Sequence, residues 1–130
     1  MTPHEFDQLV EWAYARIPTR FRKRLENIAV VVEPEPSPRQ LAEAGVGPGG
    51  TLLGLYQGRP LTARSVFESF SMPDRITIFQ GPHERLARSE AHLRQMVEDT
   101  VWHEVAHYFG MDERRVRAAE RRRRIRRRSP

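Results

Sequence analysis

Apolar residues recur every three or four positions at the start of the chain, where Phe6, Leu9, Val10, Ala13, Tyr14 and Ile17 share one helical face. Thr2 stands where an N-cap belongs and Pro18 where a helix must stop, so residues 3–17 are predicted as an amphipathic helix packed on a sheet. Glu5, Asp7 and Glu11 lie towards its start and Arg16 at its end, in the sense the helix dipole favours. Residues 21–25 read as a basic turn or short helix. The period then changes. Ile28, Ala29, Val30, Val31 and Val32 form an unbroken and mostly β-branched run, the pattern of a strand buried on both faces, which Pro34, Pro36 and Pro38 stop. Residues 39–44 predict a helical turn, and residues 45–50, GVGPGG, a flexible loop. No Gly-Lys-Ser or Gly-Lys-Thr ends that loop, which excludes a phosphate-binding motif.

Residues 51–57, TLLGLYQ, read as a second strand in which Gly54 either weakens the strand or admits another backbone at close range. Residues 75–80 alternate Ile76, Ile78 and Gln80 against Thr77 and Phe79 and read as a third. Between the two, residues 59–73 form a long loop carrying Val66, Phe67, Phe70 and Met72; packing on the core is the plainer expectation, a lid or cleft wall the alternative. Residues 83–87 predict a short turn. From Ser89 the helical period resumes through Leu93, Met96, Val97, Thr100, Val101, Val105 and Tyr108, which predicts one long helix.

The chemistry sits late in that helix, in VWHEVAHYFGMDE. His103 and His107 are four residues apart, so both imidazoles project from one face a turn apart, where a single metal ion can bridge them. Two neutral imidazoles suit zinc, and a catalytic site needs a third protein ligand with a position left open for water. Gly110 can end the helix in a left-handed turn and send the chain back, which makes Glu113 the expected third ligand and Asp112 the alternative. Glu104, between the histidines, is placed to take a proton from zinc-bound water. His83, His92 and His4 fall outside the motif and are expected at the surface, as polar residues generally are.

Composition narrows these possibilities. At 130 residues the chain predicts one domain with one core. The absence of cysteine excludes disulfides and thiolate metal sites, so a metal must use His and carboxylate ligands. An acidic start unlike a signal peptide, with no window resembling a membrane span, predicts a cytoplasmic protein with no membrane partner. The net charge of +5 is unevenly placed. Residues 1–113 hold 12 Lys and Arg against 16 acids, 12 − 16 = −4, whereas residues 114–130 hold 10 Arg against Glu120 alone, 10 − 1 = +9. The domain is therefore expected to span residues 1–113, followed by an Arg-rich tail that is flexible or extends as a helix. Such charge density is that of a nucleic-acid-binding arm, or of a solvated terminus in an arginine-rich chain. No aromatic residue interleaves these arginines, so the tail alone offers no stacking platform for bases.

HEVAHYFGMDE, with LLGLYQGRPLTARS and MPDRITIFQGP upstream, resembles the small bacterial zincin-like metallopeptidase family, over residues 6–113. The resemblance implies an α+β fold, a minimal zincin-like domain with a small mixed sheet of three or four strands, a backing helix and a long active-site helix bearing HExxH. It implies zinc on His103 and His107 with Glu104 as base. The family often has Asp at the position of Glu113, and Glu keeps the carboxylate on a longer arm. The pattern is also similar to the metzincin signature HExxHxxGxxH, with a carboxylate in place of the last histidine. Full zincin peptidases carry a C-terminal subdomain across the cleft and metzincins a methionine turn. The 17 residues after Glu113 supply neither.

The function expected is zinc-dependent hydrolysis of a peptide or protein substrate, weak or partner-dependent because the cleft is half open. No Tyr, His or Arg can be named as the oxyanion stabiliser, and Tyr108, next to a histidine of the motif, is expected to face away. The alternative is a zinc hydrolase, or a non-catalytic zinc-binding module, that acts on or is tethered to nucleic acid through the tail.

Overall fold

The computed structural model of the chain describes residues 1–25, 27–58, 74–110, 114, 118 and 121–123. The elements run α1 (Pro3–Ala15), α2 (Thr19–Arg22), β1 (Ile28–Glu33), α3 (Pro38–Glu43), β2 (Gly54–Gln57), β3 (Asp74–Phe79), α4 (Gln80–Leu86) and α5 (Glu90–Tyr108). The mixed α+β fold matches the class expected, with a three-stranded sheet among the described residues.

Local chemistry starts the helices. At α1 the Thr2 hydroxyl accepts from the Glu5 amide and the Glu5 carboxylate accepts from the Thr2 amide, a reciprocal capping box with Pro3 at the first helical position. Those bonds to Thr2 also hold the Glu5 carboxyl below its usual range. Ser37 and Gln40 repeat the box at α3, and Ser89 caps α5 by accepting from the His92 amide.

β3 is the central strand. It pairs in parallel with β1, from Ile28 opposite Asp74 to Glu33 opposite Phe79, and antiparallel with β2, from Gly54 opposite Ile78 to Gln57 opposite Arg75. Ile76 and Ile78 on one face of β3 join Phe6, Leu9, Val10, Ala13 and Ile17 from the N-terminal helix and its exit, and Leu93, Val97, Val101 and Val105 from α5. Each such side chain taken from water contributes on the order of 1.5–3 kcal/mol. α1 packs on α5 and β1, while α5 also covers β2 and β3. The two long helices and the sheet therefore enclose one core.

Two expectations need correction. The apolar run of β1 predicted burial on both faces, yet every residue from Ile28 to Glu33 is only half-buried, because among the described residues this strand pairs with β3 alone and lies at the sheet's edge. Residues 83–87, read as a turn, belong mostly to α4, which starts at Gln80 directly after the strand. The second strand is also shorter than expected, beginning at Gly54. The long loop of residues 59–73 lies outside the described residues.

Candidate functional site

His103, Glu104 and His107 all lie on α5, whose apolar positions Val97, Val101 and Val105 hold it against the core. That anchoring fixes which way the remaining faces point. His103 and His107 are half-buried with ring centres 4.9 Å apart and planes inclined at 67°. Zinc–nitrogen bonds of about 2.0–2.1 Å in tetrahedral geometry place two ring centres about 5 Å apart. The separation of the two rings equals that of two imidazoles on one zinc ion. Among the described residues no group of three or more His, Cys, Asp or Glu gathers at one point, so Glu104 does not complete a three-donor cluster with the two rings. The expected third donor, Glu113, and its alternative, Asp112, lie outside the described residues.

The turn after the helix is described. Gly110 adopts φ +83° and its amide donates to the His107 carbonyl at 2.9 Å, while the Phe109 amide reaches back to Val105. A side chain at that φ is strained, which is why glycine ends the helix here.

Glu104 is only 6% exposed, because α5 meets the start of β2 at this point. A Cβ at Gly54 would lie 2.7 Å from the Thr100 methyl, 3.2 Å from Glu104 Cγ and 3.3 Å from the Thr77 carbonyl oxygen. The space at Gly54 is thus taken chiefly by side chains of α5 and not by the other backbone that the sequence reading allowed, and only a glycine leaves room for them. The result is a carboxylate held between the helix and an edge strand, one residue from a metal-ligating candidate.

His83 corrects the sequence reading most plainly. Expected at the surface, it is fully buried; its Nδ1 is 2.7 Å from the Phe79 carbonyl oxygen and its Nε2 2.9 Å from Thr100 Oγ1, and its ring packs on Phe6. A carbonyl only accepts, so Nδ1 carries the proton, while the Thr100 hydroxyl beside Nε2 also donates to the Met96 carbonyl at 2.9 Å. Burial pushes the His83 pKa below its ordinary value. The side chain ties the end of β3 to α5 one turn before His103, a support no spacing in the sequence announces. His92 is half-buried and accepts from the Arg88 amide at 3.0 Å, while His4 is exposed as expected. Tyr108 is fully buried and its hydroxyl donates to the Arg24 carbonyl at 3.3 Å.

The C-terminal segment also touches α5. Residues 114, 118 and 121–123 are helical, and Arg123, its side chain 18% exposed, pairs with Glu98 and Asp99 at 3.3 Å each and lies 4.9 Å over the Trp102 ring. No described helix is long and apolar enough to cross a membrane.

A solved structure of a conserved hypothetical protein from Thermo thermophilus is similar to the chain, with a TM-score of 0.56 and 27% identity, covering 84% of this chain and 94% of the other. No curated protein matches. The model of the zincin-like metallopeptidase family matches residues 25–123, which takes in the sheet, the histidine pair and Arg123. A helix with two histidines a turn apart, backed by a three-stranded mixed sheet and matched over most of its length, makes this chain a member of the zincin-like metallopeptidase family.

Proposed function

We propose that the chain is a zinc-dependent peptidase in which His103 and His107 hold the metal, Glu113 supplies the third ligand and Glu104 is the general base. The observation that carries this reading is the position of Glu104, buried between α5 and Gly54 at the start of β2. Among the described residues β2 pairs on one side only, with β3, which leaves its other edge for an extended peptide. Backbone hydrogen bonds along that edge hold the substrate straight, and its scissile carbonyl then passes beside the helix that bears the histidines. Zinc, when bound, supplies Lewis acidity that polarises a carbonyl and makes water a stronger acid.

Glu104 does the proton work. Its carboxylate accepts the proton of the attacking water and afterwards delivers it to the leaving amine, so one group serves as base and then as acid. The enclosure by α5 and β2 fixes the carboxylate's position, and proximity of this kind is worth more than the basicity of an exposed acid. His83 and Thr100 act through the helix, holding the turn that precedes His103.

The test is Glu104→Gln, which keeps the side chain's shape and removes the base. Zinc content stays near one per chain while hydrolysis of a peptide library falls by about a hundredfold or more. Unchanged hydrolysis with zinc still bound refutes Glu104 as the base.

A further inference from the structure

Arg121, Arg122 and Arg123 are one half of a second surface, whose aromatic half lies elsewhere in the chain. Trp12 on α1 is 37% exposed, although burial would stabilise a side chain of its size. Two guanidinium groups lie over its ring, Arg16 from α1 at 5.0 Å and Arg94 from α5 at 5.6 Å. Arg16 donates to Glu98 Oε1 at 3.2 Å, and the same oxygen accepts from Arg123 at 3.3 Å. Arg123 in turn covers Trp102, which meets Phe21 edge-on at 5.7 Å, and Arg20 lies 4.8 Å over Phe21. Cationic and aromatic planes therefore alternate along the seam of α1 and α5.

The balance of charge on this strip is positive. Glu98 and Asp99 are both engaged by Arg123, while Arg16, Arg20 and Arg94 are exposed. Arg121 and Arg122, next to the anchored Arg123, are exposed too. Anchoring one arginine in this way brings the neighbouring charges of the tail to the edge of the aromatic strip.

The partner must be anionic and must offer flat faces. A membrane surface supplies the charge but draws on aliphatic side chains for insertion, and the exposed large apolar residues among those described are Met1, Trp12 and Leu86, of which Trp12 alone belongs to the strip. An acidic protein surface offers carboxylates to the guanidinium groups but no regular series of aromatic faces. Single-stranded nucleic acid offers phosphates to the guanidinium groups and a π-face on every base to the tryptophan.

We propose that the α1–α5 seam, extended by Arg121 and Arg122, binds single-stranded nucleic acid with a base stacked against the group formed by Trp12, Arg16 and Arg94. This binding is separate from the histidine pair and does not depend on peptide hydrolysis. Stacking supplies the part of the affinity that salt does not remove, and the arginines supply the part that it does.

The experiment is fluorescence anisotropy of a short fluorescein-labelled oligouridine with the full chain, titrated from about 50 to 200 mM salt. Circular dichroism of every variant accompanies it. Wild-type protein binds, with affinity that falls steeply as salt rises. Trp12→Ala weakens binding about tenfold at unchanged salt slope, and Trp12→Phe restores most of it. Arg94→Lys, which keeps the charge and loses the plane, also weakens binding at unchanged slope; it carries the test should Trp12→Ala misfold. Replacing Arg121 and Arg122 together by alanine lowers the slope by about 1 to 2. Affinity equal in wild type, Trp12→Ala and Arg94→Lys overturns the proposal and leaves only the tail's charge. So does absence of binding to oligouridine at about 50 mM salt, and phosphatidylglycerol vesicles binding in its place identify a membrane-facing surface.

Discussion

α5 presents two chemically different faces. One carries His103, His107 and, towards β2, Glu104; the other carries Glu98, Asp99 and Trp102 under Arg123. The histidine pair of the first is built from residues four positions apart, so the helix alone assembles that pair. The second is closed by partners 24, 25 and 82 residues away, Arg123 with Asp99, Arg123 with Glu98, and Arg16 with Glu98. A short-range face keeps its geometry as long as the helix persists, whereas a long-range face exists only in the folded chain. Damage to the histidine pair therefore removes metal chemistry and leaves stability, whereas damage to the second face loosens contacts between distant parts of the chain.

The largest expected effect breaks the first face. His103→Ala removes half of the imidazole pair, and zinc measured by mass spectrometry on purified protein falls from about one per chain to background, while thermal stability of the metal-free form stays within about 0.5 kcal/mol. Glu98→Ala, on the opposite face, retains the metal. If both variants lost zinc equally, the two faces would not be independent.

Gly54→Ala strikes the boundary between helix and sheet. Its new Cβ meets the Thr100 methyl and Glu104, so denaturant melts should show a loss of about 1–3 kcal/mol, with peptide hydrolysis falling further than stability because Glu104 is displaced. An Ala variant as stable and active as wild type would show that α5 can retreat freely from β2.

The second face yields a smaller number. Replacing Arg16 and Arg123 by alanine, singly and together, tests whether Glu98 couples them; a cycle energy of about 0.5–1 kcal/mol at low salt that shrinks at high salt is expected. Strict additivity would mean that each arginine acts alone.

The smallest effect concerns pH. His83 is neutral when buried and its folded pKa lies below the ordinary 6.5, so the unfolded chain takes up a proton first as pH falls through that value. Stability of the metal-free protein should therefore decline below about pH 6.5, and continue to decline until the folded-state pKa is reached. His83→Gln should flatten that part of the profile. A parallel curve for the variant would locate the pH dependence elsewhere.

Legibility in the sequence follows the same division. Thr2 and Pro3 mark the start of α1, and Gly110 marks the turn after His107, because caps and turns depend on a few adjacent residues. The strands are visible from their apolar residues but their order is not, since IAVVV and RITIF differ in pattern while the sheet's centre is decided by pairing. His83 escapes a sequence reading because its partners, Phe79 and Thr100, lie on different elements and only the fold brings them to one ring. Arg123 belongs to a stretch legible only by its charge. Nothing in ten similar arginines marks the one that meets Glu98 and Trp102. The acids Asp112 and Glu113 lie outside the described residues, so the third ligand rests on the sequence reading alone.

The central position of β3 has a consequence for synthesis. Translation delivers β1 and β2 before the strand that joins them, so neither edge has its partner until Phe79 has left the ribosome. During that interval the apolar IAVVV segment has α1 beside it but no strand to pair with, and its parallel pairing with β3 must close the 40 residues between Glu33 and Asp74. Non-local closure of this kind is slow and leaves strand edges open to other chains. The order of the sheet thus makes the nascent protein depend on whatever shields β1, and the alternation of Ile76 and Ile78 is what ends that dependence.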